Sequence, residues 1–377
     1  MRITSKNIVY IGFILIIFKY NMSYSLFSLS SVMNTMLMLV GIVCFLPNLI
    51  SYKYSIYEFV FLIVAIMYSL LIMKINSDDL MLLIFIFCFG LWNTDKQKLL
   101  DIFFIVTSVS FICIVIYSIC SGEGLTLSAA YREENVFISR YTLGYSHPNS
   151  LQGAYLRIVA SFVLSSFCKT ERKKKYILLE VLNIILFGLS NSRAGFVVIS
   201  IILLLSFFND IIIKIFKAKF FYILMSSLVI VVVCFTIYAT YNYYNKPILI
   251  IINKIITGRF QHANVFTSRY AVSLLGTNIS ELSLHSTLDC GIISTLLSYG
   301  IIGFSIVLFI YLFGVRKMWQ NCDYINMIVV LSCVIYSVIE SIYMNPFVNI
   351  GMLTCIYNCV NRKSVIKREY DILLKGK

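Results

Sequence analysis

Charged side chains are scarce in this sequence: Asp, Glu, Lys and Arg together make up 13% of its 377 residues, whereas 60% of the residues are hydrophobic. Water-soluble domains carry about 25% charged residues. The mean hydropathy of +0.89 excludes such a domain, because the polar residues are too few to cover its surface. Most of the chain must therefore face lipid or other helices.

Paired metal ligands are also missing from the sequence. The 11 cysteines are scattered without a CxxC pair, so neither a zinc site nor an iron–sulfur site is expected. No DxD pair lies in a long loop, since Asp78-Asp79 belongs to a short turn. We expect no metal and no cofactor. Cys120 and Cys290 lie near the same predicted face, where they could form a disulfide or remain small buried thiols.

Apolar runs of about 20 residues, the length that crosses a hydrocarbon core as an α-helix, recur along the chain. The first is interrupted by Lys19 and Asn21, but no small-residue cleavage site follows it, so we interpret it as a span and not as a signal peptide. The sequence predicts an all-α fold: a polytopic transmembrane helical bundle of about 12 spans, forming a single integral membrane domain over residues 1–377. The predicted spans are 8–28, 31–50, 55–73, 79–94, 99–119, 150–168, 176–190, 195–209, 220–240, 291–314, 325–343 and 346–360.

The net charge of +14 has two possible causes: an anionic partner, or the insertion bias that leaves Lys and Arg in the cytoplasm. With both termini inside, 21 of the 31 basic residues fall in predicted cytoplasmic segments. Insertion bias therefore explains most of the charge, and no nucleic-acid partner is needed. We expect a multi-pass protein of the cell membrane with both termini cytoplasmic, Lys173 and Arg368 inside, and Asn135 and Asn264 outside.

Two predicted outer loops are long, at 120–149 and 241–290, and long loops in compact membrane proteins tend to carry function. All 3 histidines lie in them: His147, His262 and His285. The second loop contains KIITGRF (254–260), whose isoleucines alternate with Asn253, Lys254 and Arg259. This pattern predicts a helix lying along the outer interface, or a plain loop helix.

Several arginines lie on the predicted outer side, against the insertion bias, so a partner should favour them there. A guanidinium matches phosphate oxygens in two-point contacts, which makes a phosphate-bearing ligand the leading hypothesis. Lipid phosphates or loop carbonyls are the alternative partners; for Arg193 in particular, the alternative is capping of the seventh span. Arg157 and Glu340 fall inside predicted spans, where each is expected to pair with another polar group. The outer arginines near the motifs are Arg132, Arg140, Arg193, Arg259 and Arg269.

Several short motifs follow one another in a fixed order. They are RYTLGYSHPNSLQG (140–153), SNSRAG (190–195), TGRF (257–260), SLLG (273–276), LDCGIIS (288–294) and YGIIGF (299–304). In order, spacing and outer placement, the chain resembles the Wzy-type polysaccharide polymerases of the O-antigen ligase and polymerase superfamily. One departure is Cys290-Gly291, where that family often has an asparagine after the aspartate.

The resemblance implies a bacterial membrane glycosyltransferase that joins oligosaccharide units carried on undecaprenyl pyrophosphate. It implies a lipid-linked oligosaccharide and membrane lipid as partners, and it allows a chain-length regulator. Arg193 and Arg259 are predicted to bind the pyrophosphate, and Asp289 or His147 to deprotonate the acceptor hydroxyl in a single inverting displacement. Further substrate contacts are predicted at Arg132, Arg140, Asn149, Arg269 and His285.

The residues alone leave the base open among outer histidines and carboxylates. His262, Glu281, Glu133 and Glu134 remain alternatives, and Asp289 could instead be a simple helix N-cap. Two other functions also remain open. A ligase would transfer finished glycan to a different acceptor. A transporter or flippase would commonly show repeated halves and polar, broken helices at the bilayer midplane, whereas in this sequence no halves repeat and the ionisable residues crowd the predicted outer face.

Overall fold

A computed structural model of the chain describes residues 5–27, 29–92, 94–123, 125, 128–131, 137–168, 171–216, 219–279 and 288–360. The regular structure of the described part is helical apart from one short antiparallel hairpin, β1 (Ser128–Tyr131) with β2 (Phe137–Arg140), so the all-α prediction is confirmed. The helices are α1 (Ser5–Ser23), α2 (Ser31–Ser51), α3 (Ile56–Asn76), α4 (Leu80–Gly90), α5 (Lys96–Ser121), α6 (Pro148–Leu164), α7 (Arg172–Ser190), α8 (Arg193–Phe207), α9 (Asn209–Phe216), α10 (Lys219–Tyr241), α11 (Pro247–Ile255), α12 (Arg259–Arg269), α13 (Gly291–Gln320), α14 (Tyr324–Tyr336) and α15 (Ile350–Val360).

Within the described residues, 5 helices are long and apolar enough to cross a membrane: α2, α3, α5, α10 and α13. Four shorter apolar helices, α4, α8, α14 and α15, accompany them. Many large apolar side chains on these helices are exposed, for example Phe59, Val109 and Phe309, as lipid-facing helices require. The helices therefore indicate a membrane protein.

The chain divides into two compact units that are each discontinuous in sequence. The first comprises residues 1–47 and 94–209, and the second comprises 48–93 and 210–377. The junction after Pro47 lies inside α2, and the junction after Asn209 lies inside α9. Since neither junction falls in a Gly- or Ser-rich linker, the sequence offered no signal for this division.

In the first unit, α6 is the central helix, and it packs against α5, α7 and α8. Almost every residue of α6 is buried. The close approach of α8 to α6 depends on Gly195, because a Cβ there would lie 2.4 Å from the Cγ of Gln152 in α6. The glycine of SNSRAG is thus required by helix packing.

In the second unit, α13 packs against α10, α14 and α15 and is broken at Gly300, whose φ of 65° lies outside the helical region. The SLLG segment fills the break: Ile301 N donates to Ser273 O at 3.0 Å, and Thr277 N donates to Leu297 O at 2.9 Å. A Cβ on Gly276 would lie 1.9 Å from Ser298 O, so only glycine fits. The SLLG and YGIIGF motifs therefore build one joint that satisfies broken backbone inside an apolar bundle.

Each predicted span coincides with a helix over much of its length, but the predicted span 325–343 is wrong beyond Tyr336. Residues 337–349 are not helical, and α15 begins only at Ile350. Pro346 lies in this stretch, where it removes one amide donor and cannot continue a helix. The consequence is an irregular segment, mostly buried, that carries Glu340.

The helix predicted from KIITGRF forms only in part: α11 ends at Ile255, and the chain turns before Arg259 begins α12. Thr257 and Gly258 have φ values of 57° and 84°. Asn253 is 4% exposed and stabilises the turn: its carbonyl accepts from Gly258 N at 2.9 Å, and its side-chain Oδ1 accepts from Phe260 N at 2.9 Å. The asparagine expected on the polar face is a buried structural residue, and Arg259 begins a new helix.

Candidate functional site

The first group of predicted residues lies where the chain enters α6. Gly144 has φ 84°, Pro148 occupies the first turn of α6, and His147 is the N-cap. His147 Nδ1 accepts a hydrogen bond from the Asn149 N–H at 3.1 Å, and the imidazole is exposed. His147 is thus held in place at the turn that leads into α6.

This capping bond determines which ring nitrogen of the exposed His147 carries the proton. A neutral imidazole that accepts at Nδ1 has its proton on Nε2. In this arrangement Nε2 of His147 is a donor. To act as a base through the imidazole, His147 would have to release the Asn149 amide.

Arg140, at the end of β2, is buried, with 6% of its surface exposed. Its Nε donates to Ser190 O at 2.7 Å, and its Nη2 donates to Asn149 Oδ1 at 2.8 Å. The neighbouring Tyr141 N donates to Leu189 O at 2.9 Å. The hairpin is thereby bound to the end of α7 and the start of α6. Substrate binding by Arg140 and Asn149 stays a prediction, and both side chains already hold the fold.

Arg193, at the first position of α8, is exposed. Among the described residues it has neither a hydrogen bond nor an ion pair, so it does not cap α7. Arg140 performs that role instead. Arg193 is therefore presented outward at a helix N-terminus, where backbone amides and the helix dipole favour an anion.

A buried polar network in the same unit had no counterpart among the predicted residues. Asn183 is fully buried and receives the Gln152 amide at Oδ1 (2.7 Å), while Ser190 Oγ donates to Gln152 Oε1 at 3.2 Å. Glu180 accepts from Ser200 Oγ at 2.6 Å and from Asn183 Nδ2 at 3.3 Å. Polar residues at helical spacing, Glu180 with Asn183 and Ser190 further along α7, were the available signal.

The second group of predicted residues forms a charged cluster in the other unit. Arg259 Nη1 donates to Asp289 Oδ2, and its Nη2 lies 3.5 Å from Glu340 Oε1. The exposed fractions of the side chains are 12% for Arg259, 29% for Asp289 and 21% for Glu340. The cluster is therefore partly shielded yet open to solvent. The expectation that Glu340 pairs with a polar group is confirmed.

Asp289 does not cap the helix that follows it. The N-cap of α13 is Cys290, which makes no side-chain capping bond, and the carboxylate of Asp289 points to Arg259 instead. The alternative that Asp289 is a simple N-cap is wrong. Cys290 is buried, and burial raises the pKa of its thiol to about 11, so it adds no charge near neutral pH.

Gly291, which follows Cys290, has a packing reason. Gly291 lies directly on the irregular segment after α14: a Cβ there would be 2.7 Å from Glu340 O and 3.1 Å from Ile342 N. Gly291 N also donates to Ser337 O at 2.9 Å. The absence of a side chain at 291 lets Glu340 approach Arg259.

The other predicted residues are less informative. Arg269, at the end of α12, and His262 are exposed. Arg132, His285, Glu281, Glu133 and Glu134 lie outside the described residues. Cys120 is exposed and, like Cys290, is a free thiol. Within the part of the chain that the structure describes, no group of His, Cys, Asp and Glu could hold a metal ion.

Comparisons of the chain with protein-family models, with curated proteins and with solved structures gave no match. The chemistry must therefore be argued from the two groups themselves. Arg259 is occupied by two carboxylates, so binding a pyrophosphate would require it to release at least one of them. Arg193 has no such competitor among the described residues. Asp289 is a solvent-accessible carboxylate, so an acceptor hydroxyl could reach it, as general-base catalysis requires.

Proposed function

We propose that this chain is a bacterial membrane glycosyltransferase that joins undecaprenyl-pyrophosphate-linked oligosaccharide units into a surface polysaccharide. The chain crosses the cell membrane about 12 times with both termini cytoplasmic, so the long loops face outward. Support comes from the apolar helices, from the distribution of basic residues, and from the ordered motifs shared with Wzy-type polymerases.

The observation that carries the proposal is the pairing of Asp289 with Arg259 next to Glu340. In the proposed reaction, the acceptor hydroxyl oxygen forms a bond to the anomeric carbon of the donor sugar. The bond from that carbon to the pyrophosphate oxygen breaks, and its electron pair leaves with the pyrophosphate. The hydroxyl proton passes to Asp289. One displacement of this kind inverts the anomeric centre.

The departing pyrophosphate needs a positively charged side chain that is not already paired with a carboxylate. Arg193, exposed at the start of α8 without a competing carboxylate among the described residues, stays a predicted pyrophosphate ligand. Arg269 is a second exposed arginine. We assign Arg259 to Asp289, and this refines its predicted role as a pyrophosphate ligand.

The test is to reconstitute the purified protein in liposomes with lipid-linked repeat units. A polymerase gives a ladder of products spaced by one repeat unit. A ligase gives transfer only when a second, different acceptor is added, and a flippase moves the lipid-linked sugar across the bilayer without making a glycosidic bond. Absence of new glycosidic bonds with a competent substrate would contradict the proposal.

A further inference from the structure

Glu340 lies on the non-helical segment 337–349 between α14 and α15, and this segment is rigidly held. Its side chains Ser337, Tyr343, Phe347 and Asn349 are at most 1% exposed. A buried irregular segment between apolar helices requires internal partners for its backbone, because lipid offers none.

Asn349 supplies many of those partners. Its Nδ2 lies 2.9 Å from Tyr311 Oη, 3.2 Å from Ile342 O and 3.3 Å from Tyr343 O, while its Oδ1 accepts from Met352 N at 3.2 Å. Tyr311 Oη donates to Tyr343 O at 2.5 Å. The start of α13 also contacts the segment, at Gly291. Glu340 is therefore presented from a fixed scaffold.

The position of Glu340 determines how Arg259 can bind Asp289. An arginine alone with a carboxylate tends to form a two-point fork that occupies both carboxylate oxygens. Here Nη1 of Arg259 serves Asp289 Oδ2, whereas Nη2 faces Glu340. Among the described residues, Asp289 Oδ1 accepts no hydrogen bond, so one oxygen of that carboxylate remains available.

We propose that Glu340 is a positioning residue for the transfer reaction: it draws one arm of Arg259 away from Asp289 and leaves Oδ1 of Asp289 for the acceptor hydroxyl. Asn349 acts one step further out by holding the segment that carries Glu340. This inference rests on the proposed glycosyltransferase function and names the side chain that keeps its base competent.

The test measures kcat and KM for the lipid-linked donor in liposomes. In Glu340→Gln the neutral amide competes poorly for Arg259, which then forks onto Asp289. We expect kcat to fall about 10- to 100-fold, with KM changed by less than about twofold. Glu340→Asp, which restores the charge on a shorter side chain, should recover part of the loss. Asn349→Ala should also lower kcat with little change in KM, but by a smaller factor than Glu340→Gln.

Two matched controls separate positioning from general damage. Asn48 is also a buried asparagine, 4% exposed, that donates to the carbonyls of Gly90 and Trp92. Asn48→Ala should lower stability without the selective loss of kcat. Glu58 accepts from Tyr52 Oη and from the Ser55 amide in the cap of α3, and Glu58→Gln should leave both constants near those of the wild type.

A double-mutant cycle gives the sharpest reading. Lysine cannot fork onto a carboxylate, so in an Arg259→Lys background the change Glu340→Gln should cost little more. Additive losses would overturn the inference, because they would mean that Glu340 acts independently of Arg259.

Normal kcat in Glu340→Gln with an active wild type would also overturn it, while leaving the polymerase proposal intact. If the wild type forms no glycosidic bond, the proposed function fails and the role of Glu340 falls with it. If Glu340→Gln does not fold, Asn349→Ala decides by the same split.

Discussion

The carboxylate of Asp289 accepts a hydrogen bond from Nη1 of Arg259, although these residues are 30 positions apart and Asp289 immediately precedes the N-cap of α13. A carboxylate at the N-cap itself would accept from helix amides, but the N-cap here is Cys290. The commitment of Asp289 to Arg259 places a partly exposed acid beside a positive charge. This relationship removes helix capping as the role of Asp289 and leaves ion pairing and proton transfer to be separated by substitution.

Replacing Asp289 with Asn tests that role directly. The amide has nearly the same shape but cannot take a proton from the acceptor hydroxyl. We expect polymer formation to fall by about 10²–10⁴-fold, while binding of the lipid-linked donor persists, because a general base contributes an effect of that size. Turnover and donor binding should be measured on the same preparation. Near-normal polymer would reject Asp289 and transfer the role to His147, tested next by His147→Gln. A product that retains the donor's anomeric configuration would instead reject the single displacement.

Arg193 and Arg259 should respond differently to removal. Arg193→Ala removes an exposed cation that we assign to the pyrophosphate, so KM for the donor should rise, and Lys should rescue in part because it keeps the charge without the fork. Arg259→Ala leaves Asp289 and Glu340 without their shared partner, so kcat should fall with a smaller change in KM. Steady-state kinetics in liposomes make the comparison. Full activity in Arg259→Ala would remove that residue from the site.

The burial of Arg140 predicts a stability effect that Arg193 does not share. Arg140→Ala leaves Ser190 O and Asn149 Oδ1 without their donor, and we expect a loss of about 3 kcal/mol. Arg193→Ala should change stability by less than about 0.5 kcal/mol, because the side chain is exposed. Thermal unfolding of the two variants in the same detergent is the measurement. Equal unfolding midpoints would show that Arg140 does not hold the fold.

Cys290 should resist thiol reagents over the ordinary pH range. Burial raises its pKa to about 11, and only the thiolate reacts, so little of it reacts below that pH. Cys120 is exposed and should label readily. Variants that each keep one of these two cysteines can be compared with iodoacetamide at pH 8, before and after denaturation. Rapid labelling of native Cys290 would contradict its burial.

The proposed orientation predicts opposite labelling of two exposed positions. Lys173 lies in the first turn of α7 and should be cytoplasmic, whereas Ser268 near the end of α12 should face outward. Ser268 is a better probe than Asn264, whose amide donates to Thr240 O at 2.8 Å. Single cysteines at these positions, without native cysteines, can be treated with an impermeant thiol reagent on intact cells. Labelling at 173 from outside would overturn the orientation.

Much of the helical architecture could be predicted because apolar runs and turn residues are local signals. Gly144 and Pro148 fixed the start of α6, and the SNSRAG turn fell where α7 meets α8. The error at residues 337–349 arose mainly from long-range contacts, whereas the turn within KIITGRF is local and is formed by Thr257, Gly258 and Asn253. Most of the segment 337–349 falls within predicted apolar spans. Pro346 and the buried Asn349 instead give it an irregular conformation, and its backbone groups need hydrogen-bond partners from neighbouring residues.

The site was only partly accessible from sequence for the same reason. Outer arginines and carboxylates could be found by their position, but not their pairing. Glu340 comes 81 residues after Arg259, and its contact with Arg259 depends on the absence of a side chain at Gly291. The carbonyl-binding role considered for Arg193 belongs to Arg140, because the hairpin returns the end of β2 to α7.

The proposed glycosyltransferase activity can be tested by measuring how much undecaprenyl pyrophosphate is released for each glycosidic bond formed. Wild-type protein in liposomes, supplied only with lipid-linked repeat units, should release one undecaprenyl pyrophosphate for each glycosidic bond formed, and products should grow in steps of one repeat unit. Asp289→Asn, reconstituted in equal amount, should release almost none. Lipid-linked substrate that is translocated or left unchanged by the wild type, with no pyrophosphate released, would contradict the account.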